Sequence, residues 1–155
     1  MLISEFIEKN FPKTLILPEV DENSNADLFY EGDGRLVNAE WYYENAKEDA
    51  VFGYECIKKY LRKNQKILEI GGGSHFLSQY LSFKGYQIVS IEPGNFQGGV
   101  IEKIRDKTKN KKNNNLKIID TNLENFIKNN DISFDFIFSV NVLEHVDNIE
   151  EHLNK

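Results

Sequence analysis

Lys66-Ile67-Leu68-Glu69-Ile70-Gly71-Gly72-Gly73-Ser74-His75-Phe76-Leu77 carries an apolar strand into a glycine turn and out again into a helical pattern. Ile67, Leu68 and Ile70 read as a short buried strand, and Phe76, Leu77, Tyr80, Leu81 and Phe83 recur at helical spacing up to a stop at Gly85. A second strand, Gln87-Ile88-Val89-Ser90-Ile91, follows and ends on Glu92. Strand, glycine turn, helix and strand in that order form the crossover unit of a doubly wound α/β sheet. Glu92 stands about 20 residues beyond the turn, where such a sheet places a carboxylate that receives ribose hydroxyls. The glycines allow torsions that side chains forbid and let a ligand come close to the main chain.

The small print of the turn selects among ligands. A dinucleotide fingerprint has glycines at its first, third and sixth positions, whereas this chain has Gly71, Gly73 and then Phe76. An acid two residues before the first glycine gives Glu69-Ile70-Gly71-Gly72-Gly73. That pattern resembles the first motif of class I S-adenosylmethionine-dependent methyltransferases, in which an acid and two glycines shape the pocket for the methionine half of the cofactor. Many members carry a further glycine where this chain has His75. The resemblance implies a Rossmann-like fold, S-adenosyl-L-methionine as cofactor, and cofactor-binding roles for Glu69, Gly71, Gly73 and Glu92.

Further segments fall in the order that the same family requires. Leu116-Lys117-Ile118-Ile119-Asp120 is a third strand ending on an acid, and Thr121-Asn122-Leu123 looks like the family's adenine-side loop. Phe134-Asp135-Phe136-Ile137-Phe138-Ser139-Val140 is a fourth strand running into Asn141-Val142-Leu143-Glu144-His145-Val146. The Leu-Glu-His triplet is similar to the small-molecule branch of the family, including ubiquinone-pathway O-methyltransferases. The resemblance thus adds Asp120, Val140 and Asn141 to the expected cofactor contacts, and it spans residues 45–155, with residues 1–44 as an N-terminal cap segment. Asp120 could equally end its strand through a turn hydrogen bond.

Methyl transfer asks for few reactive side chains, because the sulfonium carbon is already activated and the protein mainly aligns a nucleophile and excludes water. Where the acceptor is a hydroxyl or an amine, His145, beyond the fourth strand, is the candidate base; the alternative is that it fixes the loop through a backbone hydrogen bond. His75, His145 and His152 with Cys56 have no zinc-ligand spacing. Asp21, Asn23 and Asn25 mimic the start of a calcium loop, but Ala26 and Gly32 stand where glycine and glutamate belong. The expected metal is none.

The family domain continues past the fourth strand, and this sequence stops at Lys155. On the family's strand order the fourth strand becomes an edge, so a truncated sheet that self-associates or pairs with a partner chain is expected there. The same feature supports a different class of function, a non-catalytic remnant or interaction module that keeps the cofactor-binding half-sheet. A nicotinamide-dependent oxidoreductase is the remaining alternative; it explains Glu92 but neither Glu69 nor the Leu-Glu-His segment.

Composition bounds the partners. With 155 residues and 40% hydrophobic side chains the chain can bury a core, and a net charge of −6 argues against a broad nucleic-acid surface. A small-molecule acceptor is expected instead. A single cysteine, Cys56, fits a reducing cytoplasmic setting. No apolar run reaches the roughly 20 residues that span a bilayer. Glu5, Glu8 and Lys9 interrupt the first apolar segment, which reads as an amphipathic helix from Leu2 to Phe11 ended by Pro12 rather than as a secretory signal. Leu28 to Val37 resembles two short strands around a glycine turn, and Asn38 could cap a helix whose stripe is Ala50, Val51, Tyr54, Ile57 and Leu61. A helix from Gln97 to Lys109 should link the second and third strands.

Overall fold

The computed structural model describes residues 1–16, 28–30, 36–93, 100–111, 113–143, 146 and 149–150. Helices α1 (Ile3–Asn10) and α2 (Lys13–Ile16), strands β1 (Leu28–Tyr30) and β2 (Leu36–Asn38), and α3 (Ala39–Ile57) come first. Then follow β3 (Lys66–Ile70), α4 (Phe76–Phe83), β4 (Gln87–Glu92), α5 (Val100–Asn110), β5 (Leu116–Asp120), α6 (Leu123–Asn129) and β6 (Phe136–Ser139). The calcium-like segment and the turn between β1 and β2 lie outside the described residues.

Apolar strand runs joined by helices too long for hairpins force parallel pairing. All three pairings in the main sheet are parallel, in the order β5-β4-β3-β6. The sheet is the Rossmann-like half-sheet that the crossover pattern implies. The chain steps outward from β3 through β4 to β5 and then returns to the other side of β3 for β6. This reversal sets a topological switch point between β3 and β6, and open α/β sheets bind ligands beyond the carboxyl ends of their strands at such a point.

Alternation sorts the strand side chains onto two faces. Ile67, Ile88, Phe136 and Phe138 share one core with Phe76, Leu77, Tyr80 and Leu81 of α4, Ile104 of α5 and Ala50 and Ile57 of α3. Leu68 and Ile91, with the partly buried Ile70, Val89 and Ile119, meet Leu123 and Phe126 of α6 on the opposite face. Ile3, Phe6, Ile7 and Phe11 from the start of the chain belong to the first core. Phe6 lies 5.5 Å from Tyr80 and 5.0 Å from Phe83, centroid to centroid.

Several boundaries differ from the sequence reading for local reasons. Helix α1 stops at Asn10, and Pro12 launches α2, its carbonyl accepting the Leu15 N–H at 2.9 Å. Proline lacks an N–H but can stand where a helix begins. The linking helix is described from Val100 onward, residues 94–99 being outside the described set. Thr121 and Asn122 form the approach to a helix: the Asn122 side chain accepts the Asn125 N–H at 2.9 Å and caps α6. Strand β6 begins only at Phe136, because the Asp135 carboxylate accepts the Lys66 N–H at 2.7 Å while its own N–H donates to the Lys66 carbonyl at 2.9 Å.

Candidate functional site

The carboxyl ends of β3, β4 and β6 converge on the turn Gly71–His75. Gly71 and Gly72 both donate their N–H groups to the Ile91 carbonyl, at 2.9 and 3.1 Å, and His75 donates to the Gly72 carbonyl at 2.6 Å. Gly73 donates its N–H to Glu92 Oε2 at 3.0 Å. The main-chain donors of the turn at these four positions are therefore spent on β4 and on the turn itself.

Backbone torsion explains the glycine at Gly71 and at Gly73, whose φ is +50°, and close packing explains it at Gly72. Gly71 has φ +75°, the left-handed region that favours glycine, and a methyl group there would lie 2.1 Å from Val142 Cγ2. The segment after β6 thus leans directly on the turn after β3, across the switch point. Gly72 has no room on its other side, since a methyl group would lie 2.2 Å from Ser90 Oγ and 2.4 Å from His75 Nδ1. Gly73, in contrast, faces open space within 4 Å.

Glu69 and Glu92 occupy the same face of the sheet, alternating with the apolar residues of β3 and β4, and both are buried. Glu69 pairs in register with Ser90, whose hydroxyl donates to Glu69 Oε2 at 2.5 Å. Burial pushes the Glu69 carboxyl up to about 7, against the hydrogen bonds from Ser90 and Ser78, with the Glu92 charge adding a smaller push. Glu92 lies at the end of β4, with its carboxylate on Gly73.

Asp120 ends β5 and faces α5. Its Oδ1 receives Lys109 Nζ at 2.5 Å and Arg105 Nη2 at 3.1 Å, and the Lys109 hydrogen bond leads in holding the carboxyl below its ordinary range. Arg105 also donates to the Pro93 carbonyl at 3.3 Å, so α5 fastens the ends of β4 and β5 together. Val140 packs against the first core, and Asn141 turns left-handed at φ +54°. The Asn141 side chain donates from Nδ2 to Asp49 Oδ1 of α3 at 2.7 Å. His145, the candidate base, and Glu144 lie outside the described residues.

The structure thus gathers Glu69, Gly71, Gly73 and Glu92 around one turn, against which Val142 rests, while Asn141 is bonded to α3 and Asp120 is engaged with α5. Ser90, Asp49 and Arg105 were not singled out by sequence reasoning. Ser90 had a signal: it sits between Ile88 and Glu92 at an inward-facing position, where a polar residue in a buried strand needs a partner. Asp49 and Arg105 had none, because their partners are 92 and 15 residues away. His75 occupies the cap position of α4 with φ +60°, yet its side chain makes no cap hydrogen bond and its ring turns inward to Ser90. Among the described residues no group of acids, histidines and cysteines could hold a metal ion, and no helix is long and apolar enough to cross a membrane.

Residues 42–155 match a family described as a methyltransferase domain. Two uncharacterized proteins of Mycobacterium tuberculosis, from strains CDC 1551 / Oshkosh and H37Rv, are each 34% identical to this chain over 89 residues. The matched stretch covers 57% of this chain and 30% of each relative.

Proposed function

This chain belongs to the methyltransferase-domain family, and on that premise we propose that it binds S-adenosyl-L-methionine beyond the carboxyl ends of β3, β4 and β6 and takes part in methyl transfer to a small-molecule acceptor. The observation that carries the cofactor is the state of the turn. With the N–H groups of Gly71, Gly72, Gly73 and His75 already bonded, the turn offers few donors to a pyrophosphate, which relies on such groups at a helix N-terminus. A phosphate-free nucleoside fits better. Gly73 opens onto space beside Glu92, whose carboxylate can accept hydroxyl hydrogens as well as the Gly73 N–H.

When bound, the cofactor supplies a methyl carbon that an acceptor lone pair attacks as the carbon–sulfur bond breaks, leaving S-adenosylhomocysteine. The chain's own contribution is orientation and exclusion of water. In this reading Glu92 holds the ribose side, the turn over Glu69 receives the amino-acid side, and the segment of Val140 and Asn141 that follows β6 lines the nucleoside. Asp120 contributes through the β5 end that Arg105 fixes. His145 takes the acceptor's proton where the acceptor is a hydroxyl or an amine.

Calorimetric titration tests the cofactor directly. S-adenosylhomocysteine is expected to bind more tightly than NAD, and the reverse order would overturn the assignment. Glu92→Ala should weaken the S-adenosylhomocysteine complex by roughly 1.5–3 kcal/mol, the scale of a hydrogen bond to a charged group. Unchanged affinity in a folded variant would remove Glu92 from the site.

A further inference from the structure

We infer that Ser90 and His75 are positioning residues for the cofactor turn, joined to Glu69 in a buried hydrogen-bonded chain on which the backbone of Gly72 rests. The inference deepens the methyltransferase reading and rests on it. Ser90 and His75 are both fully buried, and Glu69 is 5% exposed. The Ser90 hydroxyl has one hydrogen, and it goes to Glu69 Oε2 at 2.5 Å. With Glu69 ionised, the 2.9 Å contact between Ser90 Oγ and His75 Nδ1 then requires Nδ1 to carry a proton and donate it. That assignment leaves Nε2 as a bare acceptor, and Nε2 has no hydrogen-bond partner among the described residues. A neutral ring is what the surroundings demand: burial first, then Arg105 and Lys109, lower its pKa to about 3, with Asp120 opposing.

The chain acts on the turn by contact. Gly72 lies so close over the Ser90–His75 bond that a methyl group would strike both atoms at once. His75 itself takes φ +60°, a conformation that disfavours a residue with a Cβ. The side-chain bond to Ser90 offsets that strain, so the imidazole holds by hydrogen bonding a turn that glycine would reach by freedom. Glu92 pins the neighbouring Gly73 from the same strand two residues further on. Two inward polar residues of β4 thus fix the two halves of the turn.

Glu69 gives the chain a reporter. It faces Ser90 and Glu92 of β4 and Ser78 of α4, and an ionised Glu69 beneath the turn attracts the ammonium at the amino-acid end of the proposed ligand. Affinity should therefore rise as pH climbs through Glu69's titration near 7.

The test is calorimetric titration of the 155-residue chain with S-adenosylhomocysteine between about pH 5.5 and 8.5, each variant's fold checked by thermal melting. Ser90→Ala and His75→Ala should each lose about tenfold in affinity, the scale of a hydrogen bond in a buried polar network, the second because alanine keeps the left-handed strain without the bond that offsets it. His75→Asn should stay within about threefold of the parent, because asparagine tolerates the left-handed region and presents an amide N–H near the place of Nδ1. In Ser90→Ala the pH at which affinity bends should move upward, since the carboxylate has lost its donor. Folded Ser90→Ala with parental affinity, or with weaker binding and an unmoved bend, overturns the inference. So does His75→Asn binding no better than His75→Ala, a comparison that decides alone if Ser90→Ala does not fold. A parent chain that fails to bind S-adenosylhomocysteine at every pH overturns the methyltransferase reading itself, and this inference with it.

Discussion

Glu69 and His75 have carboxyl and imidazole pKa values displaced in opposite directions, and their displacements oppose each other in stability. Glu69 titrates near 7 in the folded chain against an ordinary value of 4.5. The folded state therefore keeps a proton that the unfolded state releases, and this contribution is complete below about 4.5 and lost as pH rises through 7. His75 titrates near 3 against 6.5, so its contribution is complete above about 6.5 and lost as pH falls toward 3. Glu69→Gln removes only the first. Its melting temperature relative to the parent should climb as pH rises from about 4.5 to 7.5. A difference that stays flat or falls over that range would show that the folded protein does not hold the Glu69 pKa above its ordinary value. Gly72→Ala is a separate probe of the same site. The added methyl must displace the buried Ser90 hydroxyl or the imidazole, and neither can rotate into solvent. A loss of about 1–3 kcal/mol in denaturant unfolding is the expected scale for overpacking.

At the scale of elements, the sheet was legible because two periodicities meet in a short stretch. β3 and β4 are short, nearly continuous apolar runs buried on both faces, so their residue ranges follow from the run itself, and the glycine turn between β3 and α4 marks the helix start. The face each side chain takes was also available in principle. Ile67 and Glu69 share a parity, as do Ile88, Ser90 and Glu92, so the polar residues at inward positions could have been read as a network. What could not be read was the company brought in from far along the chain. Asp49 of α3 reaches Asn141 because Gly53, one turn later, lets α3 pack against Leu77 and Val140; a methyl at Gly53 would lie 2.9 Å from Leu77 Cδ2. The role of α1 was understated for the same reason. An amphipathic stripe announces a helix, but only the fold shows Phe6 inserted among Phe11, Tyr80 and Phe83. Phe6 is 2% exposed, so Phe6→Ala should destabilise the chain by about 3–5 kcal/mol in equilibrium unfolding. A change below 1 kcal/mol, a scale met when a site collapses or was never packed, would place α1 outside the cooperative core.

Across the whole molecule the two margins of the parallel sheet differ in chemistry. β5, Leu116-Lys117-Ile118-Ile119-Asp120, carries two charges, and charge on an edge strand discourages further pairing. β6, Phe136-Ile137-Phe138-Ser139, carries none, and among the described residues it pairs only with β3. Its two faces are also unequal. Phe136 and Phe138 turn toward α3 and the first core, whereas Ile137, on the α6 face, is 53% exposed. The stacked Tyr60, also 53% exposed, extends this apolar margin beside Phe136. Among the described residues nothing pairs with the outer margin of this uncharged strand, such a margin is a template for another strand, and we propose the β6 of a second copy as its occupant. Sedimentation velocity over a concentration series should show the chain moving from monomer to dimer. Ile137→Lys should hold it monomeric without lowering its melting temperature, because the substituted side chain is already half in solvent and leaves the first core untouched. A chain that stays monomeric throughout the series, or an Ile137→Lys variant that associates as readily as the parent, would show that this margin does not drive assembly.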